Sequence, residues 1–236
     1  MHLAYIPHIS GDRIILSEEE SKHCINVLRM KENEELLLVN GIGGLYTAKI
    51  STAHSKKCEV DILSAQQDYQ KRNFQLHIAC APTKNIDRFE WFLEKATEIG
   101  IDVITPLNCD HSERTSVKPE RLEKVIIAAM KQSLKAYLPA LNENTSFKNF
   151  IDKHNNFIGQ KFIAHCYATA KEPLQKVYQK GKNVLILIGP EGDFSKAEVE
   201  LAVTLGFIPV SLSTSRLRTE TAALVACQTL NLANEI

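Results

Sequence analysis

Apolar positions follow two different rhythms along the chain. As far as residue 63 they come in short runs bounded by polar residues and turn formers. Residues 13–16, 35–39, 45–50 and 58–63 each read as a strand, and Asn40-Gly41 marks a tight turn. One helix interrupts them. Ser17 suits its N-cap, and Glu18, Glu19 and Glu20 fill a first turn where the helix dipole favours acid. That helix should run through His23, Val27 and Leu28. Residues 64–73, Ser-Ala-Gln-Gln-Asp-Tyr-Gln-Lys-Arg-Asn, are polar enough to be a linker.

Beyond the linker, strands alternate with helices. Strands are expected at 75–79, 103–106, 162–166, 184–188 and 208–212. The spacing predicts helices at 87–99, closed by Gly100, at 120–137, ended near Pro139, and at 195–205 and 219–234. Such alternation implies a parallel sheet with helices on its faces, an α/β domain.

Composition changes this picture little. The 236 residues are 44% hydrophobic and 24% charged, which excludes long disorder or a coiled coil as an overall description. No apolar run is long enough for a membrane span, and MHLAYIPHIS does not read as a signal peptide. A cytoplasmic protein is expected. The 28 basic and 28 acidic residues cancel, but residues 114–135 hold 6 basic side chains against Glu120 and Glu123, a local positive surface. Arg121, Lys124, Lys131 and Lys135 would share one face of the 120–137 helix. The six cysteines are scattered with no C-x-x-C pair, so free, mostly buried thiols are expected and no metal site.

Two strand–loop–helix segments could carry chemistry. Val184-Leu-Ile-Leu-Ile188 breaks into Gly189-Pro190-Glu191-Gly192-Asp193 before a helix. Open α/β sheets bind ligands beyond the carboxyl ends of their strands. The glycines would let backbone approach a ligand, although a Gly-Pro turn also serves simply as a turn. The pattern is neither the dinucleotide fingerprint nor a P-loop. The second segment is Ser211-Leu-Ser-Thr-Ser-Arg216-Leu-Arg218-Thr219-Glu220-Thr221-Ala222. It reads equally as a capped helix start with two solvated arginines. Together the two loops could build one pocket.

These two runs resemble the C-terminal signature of the SPOUT methyltransferases, and more narrowly of the RsmE family, which methylates N3 of a uridine in 16S ribosomal RNA. His23-x-x-x-Val27-Leu28-Arg29, Lys84-x-x-x-Arg88, Lys95-Ala-Thr-Glu-Ile-Gly100, His111-Ser-Glu-Arg114 and Gln132-Ser133 resemble that family's upstream motifs, in the same order. The resemblance implies a PUA-like RNA-binding β-barrel over residues 1–70 and a SPOUT α/β domain over 71–236 with a C-terminal trefoil knot. It further implies a homodimer that uses S-adenosyl-L-methionine on small-subunit ribosomal RNA, within the 30S subunit, with no metal and no membrane.

By the same resemblance, His165, Ile188, Gly189, Pro190, Glu191, Gly192, Leu212, Ser213, Leu217, Arg218, Thr219, Thr221 and Ala222 would surround the cofactor. His165 reads as well as a buried structural histidine. Methyl transfer to a uracil nitrogen needs alignment, loss of the N3 proton and stabilisation of the resulting anion. Arg218 is the expected anion-facing group, since a guanidinium donates two parallel hydrogen bonds; a salt bridge to Glu191 or Glu220 is the alternative. Glu191 is the expected catalytic carboxylate, although it and Glu220 could each merely orient an arginine. Arg13, His23, Arg29, Lys84, Arg88, Arg114 and Lys135 are the RNA-binding candidates.

Three positions depart from the family pattern: Asp193 and Ser213 stand where glycines are usual, and Lys135 where an arginine is usual. Asp193 could repel phosphate or cap the following helix. Gly192→Val is expected to fill space beside the cofactor. A methyltransferase for another rRNA or tRNA base, and a non-catalytic RNA-binding factor, are the alternative readings.

Overall fold

The computed structural model describes residues 2–235. Two compact units result, Met1–Lys71 with Ile127–Leu138, and Arg72–Ile126 with Pro139–Ile236.

The first unit contains β1 (Leu3–Tyr5), β2 (Arg13–Ile15), α1 (Glu18–Lys22), β3 (Glu35–Val39), β4 (Leu45–Thr52) and β5 (Glu59–Gln66). They form a PUA-like half-barrel of order β1-β3-β4-β5-β2 around Leu36, Leu38, Ile50 and Val60. Ser17 caps α1 as expected, its hydroxyl accepting from Glu20 N at 3.2 Å. The helix then widens into a π-turn over His23–Val27, closed by Leu28 N donating to His23 O at 3.0 Å. Cys24 is drawn into the core while Val27 and Leu28 stay exposed, so their apolar character does not mark a buried face. Asn40 Oδ1 accepts from the amides of Ile42 and Gly44, at 3.0 and 2.8 Å, and shapes the turn between β3 and β4. β5 extends to Gln66, three residues into the expected linker.

Within this unit Glu20 is buried, and Lys131 Nζ donates to its Oε1 at 2.5 Å. Burial alone would raise the Glu20 carboxyl, but the His2 ring 3.8 Å away and the hydrogen bond and charge of Lys131 hold it below its ordinary 4.5. The pair therefore stabilises above that value and is lost as pH falls through the lower folded value. Lys131→Ala should cost about 3 kcal/mol, because it strands a buried carboxylate. Denaturant melts at neutral pH check this, and Glu20→Gln in the same background should recover most of the loss.

The second unit contains β6 (Leu76–Cys80), α2 (Ile86–Ile99), β7 (Val103–Asn108), α3 (Pro119–Gln132, whose last turns belong to the first unit), β8 (Ala140–Leu141), β9 (Thr145–Ser146), α4 (Phe147–Lys153), β10 (Gln160–Ala164), β11 (Glu172–Pro173), α5 (Leu174–Val177), β12 (Val184–Ile188), α6 (Lys196–Thr204), β13 (Ile208–Ser211) and α7 (Thr219–Glu235). The sheet runs β11-β13-β10-β12-β6-β7-β8, with β9 also on β7, and its strand pairs are parallel. β12 is buried at all five positions, as an apolar run in the middle of a parallel sheet must be. α2 and α7 pack together, with α7 lying on β6 and β12; α4 packs on β7 and α6. The chain leaves β13 beyond β10, and α7 re-enters beneath the turn after β12, where Thr219 Oγ1 donates to Gly189 O at 3.0 Å.

The expected helix over 120–137 stops at Gln132. Leu134 takes φ 54°, Leu134 N bonds Lys131 O at 3.3 Å and Lys135 N bonds Met130 O at 3.1 Å, which closes the helix with a left-handed residue. Lys135 thus lies past the helix end and does not extend a face with Arg121, Lys124 and Lys131. The short elements β8, β9, β11, α4 and α5 had no clear periodic signal.

His77 on β6 is 4% exposed, with Nε2 2.8 Å from Thr105 Oγ1. Burial, then the neighbouring His154 and Lys153, push its pKa from 6.5 to about 3. An unfolded histidine gains its proton first on acidification, so His77 withdraws stability as pH drops from 6.5 toward about 3. The stability difference between wild type and His77→Leu should therefore move in the variant's favour across that range, as read from melts at successive pH values.

Candidate active site

Parallel register brings four strand ends into one row. Cys80 pairs with Ile188, Ile188 with Ala164, and Ala164 with Val210. The segments that follow, 81–85, 189–195, 165–171 and 211–218, therefore emerge at one carboxyl edge of the sheet, the edge where open α/β sheets bind ligands.

A two-lobed cleft opens there. One lobe of about 400 Å³ lies against Ala164, His165, Val210, Leu212 and the hydroxyl-bearing run Ser213-Thr214-Ser215. The other, of about 340 Å³, lies against Ile188, Gly189, Pro190, Glu191, Arg218 and Thr219. Ala164, Cys166, Arg216, Leu217 and Ala222 line both. Each lobe has the size of a small-molecule site, with apolar walls and a few polar groups.

Eleven of the thirteen residues expected around a cofactor line this cleft; Gly192 and Thr221 do not. Gly192 faces elsewhere. A Cβ on it would meet His111 Cβ at 2.9 Å, so a valine would collide with the 109–112 turn and not fill the cleft. Residues not singled out in the sequence also line it, among them Cys166 and Lys171. Cys166 had no signal beyond its adjacency to His165, and Lys171 had none.

The turn after β12 is held from several sides. Glu191 Oε1 accepts from Lys84 N at 2.9 Å. Arg114 donates to the carbonyls of Thr83 and Lys84, at 3.0 and 2.8 Å, and so buttresses the segment that holds Glu191. His111 Nδ1 lies 3.1 Å from the carbonyls of Gly192 and Asp193. Ser195 caps α6 in a full capping box with Glu198; Asp193 does not cap it.

Arg218 is exposed on the cleft, and no described residue engages its guanidinium in a hydrogen bond or ion pair. Neither salt bridge weighed in the sequence forms. The Glu191 carboxylate accepts from Lys84, and the buried Glu220 lies 4.0 Å from Arg88 Nε. Arg218 therefore presents its donors to the cleft. His165 is buried, 3.5 Å from Lys171 Nζ. Burial first and the lysine charge second lower its pKa, so it is a neutral lining group.

The remaining RNA-binding candidates are dispersed. In the second unit Lys84 pairs with Glu113 at 2.6 Å, and Arg88 leans toward Glu220. In the first unit Arg13 pairs with Asp61 at 2.7 Å, Arg29 is exposed with φ 57°, and the half-buried His23 lies tilted against His2, ring centroids 4.9 Å apart. Burial, then the charges of His2 and Lys131, lower the His23 pKa, so near neutral pH it is a ring without charge. No group of His, Cys, Asp or Glu among the described residues could hold a metal ion, and no described helix is long and apolar enough to cross a membrane.

A parallel sheet that gathers four loops at one carboxyl edge, with the C-terminal helix bonded to one of them, defines an α/β ligand-binding class, and the comparisons narrow it. A family model described as RNA methyltransferase domain matches residues 70–231, and one described as RNA methyltransferase PUA domain matches 16–63. The chain belongs to the RNA methyltransferase family, in its ribosomal RNA small subunit methyltransferase E branch. It is 28% identical to ribosomal RNA small subunit methyltransferase E of Rickettsia conorii, over 94% of this chain and 91% of that one. A Porphyromonas gingivalis structure described as a probable rRNA-methyltransferase is 42% identical over 98% of this chain and 99% of that one, with TM-score 0.91. A Legionella pneumophila protein assigned to the methyltransferases, solved with the bound cofactor SAM, is 31% identical over 98% of this chain and 97% of that one, with TM-score 0.87.

Proposed function

We propose that this protein transfers a methyl group from S-adenosyl-L-methionine to N3 of a uridine in 16S ribosomal RNA. It would act in the cytoplasm as a homodimer, with the small ribosomal subunit as its substrate. The N-terminal residues 1–70 would contribute RNA contacts and residues 71–236 the chemistry. The observation that carries this reading is the uncommitted Arg218 guanidinium on a cleft built from three strand ends of a parallel sheet.

The cleft suits the cofactor. Ala164, Val210, Leu212, Leu217 and Ala222 offer apolar walls for an adenine, and the hydroxyls of Ser213 and Thr214 suit its polar parts. When bound, the cofactor supplies a sulfonium methyl group. Arg218 donates hydrogen bonds to the uracil oxygen beside N3 as negative charge develops there. Asp193 and Glu191 are the carboxylates on the second lobe. Both Asp193 oxygens accept backbone amides, whereas only one Glu191 oxygen has a protein donor among the described residues. Glu191 therefore has the capacity to take the N3 proton, and Lys84 N holds it in place. Lys84, Arg88 and Arg114 surround the same segments as positive groups for phosphate, with Arg13, Arg29 and Lys135 contributing charge from the N-terminal unit and the His23 ring a neutral surface for a base.

Calorimetry with the cofactor, and transfer of label from it to RNA in purified small subunits, test the proposal. Cofactor binding with label confined to small-subunit RNA supports it. Label in tRNA instead would redirect the substrate, and no binding with no label would favour an RNA-binding factor.

A further inference from the structure

Asp193 occupies a conformation that suits glycine, and its side chain does something glycine cannot. Its φ is 64°, in the left-handed region. Its amide donates to Pro190 O at 2.9 Å and closes the turn after β12. One carboxylate oxygen accepts from Phe194 N at 2.9 Å, next to it in the chain. The other accepts from Cys166 N at 2.7 Å, in the loop after β10. A second bond joins the same two segments, from Tyr167 OH to Phe194 O at 2.7 Å. Cys166 and Asp193 both line the second lobe of the cleft, on the walls contributed by β10 and β12.

We propose that Asp193 is a positioning residue, a carboxylate clamp that ties the loop after β10 to the turn after β12 and so sets the width of the cofactor cleft. Two amide bonds to a charged acceptor are stronger than neutral ones. They hold both loops before any ligand arrives, which lowers the ordering cost of binding. The clamp would act on affinity more than on the chemical step, because each carboxylate oxygen is already held by a backbone amide. This inference rests on the proposed cofactor site for its consequence, but the clamp itself is a property of the protein alone.

Asp193→Gly keeps the left-handed backbone and removes both carboxylate bonds. Hydrogen–deuterium exchange on the free protein should show the Cys166 and Phe194 amides exchanging at least about tenfold faster, with the β6 amides unchanged; two charge-assisted bonds are lost. Asp193→Asn keeps one acceptor oxygen and should fall between glycine and wild type. For the cofactor, the glycine variant should show a KM and calorimetric Kd raised on the order of tenfold, with kcat at saturation nearly unchanged. Unchanged amide exchange in Asp193→Gly would overturn the clamp. Faster exchange with unchanged Kd would overturn its role in shaping the cleft. Absence of cofactor binding by wild type would instead defeat the proposed function, and the exchange experiment would still decide the clamp.

Discussion

Arg218→Ala should lower methyl transfer by a factor on the order of 10²–10³ while leaving cofactor affinity within about twofold of wild type. The expectation follows from the guanidinium's lack of protein partners. A residue that held the cleft together would be bonded within it, and its loss would loosen cofactor binding or the fold. Arg218 is exposed and its side chain is unbonded among the described residues, so truncation removes little from the free protein. What it removes is a pair of donors needed as charge builds on the uracil. Arg218→Lys keeps the charge but loses the planar fork, and should recover only part of the rate. Single-turnover rates with small subunits, beside calorimetric cofactor Kd, separate the two effects. Full activity in Arg218→Ala would remove the residue from the chemistry.

Gly192→Val should weaken cofactor binding by roughly thirtyfold, which corresponds to about 2 kcal/mol of overpacking strain. The cause is indirect. The new Cβ would lie 2.9 Å from His111 Cβ, an atom anchored close to backbone and unable to swing away. Relief requires the 109–112 turn and the 190–193 turn to separate. The His111 contacts with the carbonyls of Gly192 and Asp193, at 3.1 Å each, would open. The Asp193 bond to Cys166 would strain with them. Gly192→Ala meets the same first contact with less bulk beyond it and should show a smaller effect. Equal Kd values for wild type and Gly192→Val would contradict this account of the turn.

Several features could be read from the sequence because local chemistry decided them. β12 begins and ends where its apolar run does, since a run buried in the middle of a sheet has no competing signal, and β3 covers the expected residues 35–39. Ser17 and Ser195 mark helix starts through caps that lie within a few residues of their partners. Other features depended on tertiary context. Nothing local to Leu134 announces a left-handed residue, so the periodicity of α3 carried the expected helix past its end. His23 has helical neighbours, but burial of Cys24 widens the turn there.

At the site, the order of the motifs gave the cleft, and the strand register explains why they meet. The orientation of Gly192 was not legible, because it depends on a loop some eighty residues earlier in the chain. Nor was the role of Asp193, whose acceptor bond to Cys166 spans 27 residues. The freedom of Arg218 required the structure as well, since only there do Lys84 and Arg88 turn out to occupy the neighbouring carboxylates Glu191 and Glu220.

The most direct test of the central claim is the identity of the methylated nucleoside. Small subunits from a strain lacking this protein would be incubated with the purified protein and labelled S-adenosyl-L-methionine, and their RNA digested and resolved by mass spectrometry. The account predicts label in 3-methyluridine from 16S RNA, and its absence when Arg218→Ala replaces the wild type. Label in any other nucleoside, or none in the presence of measured cofactor binding, would contradict it.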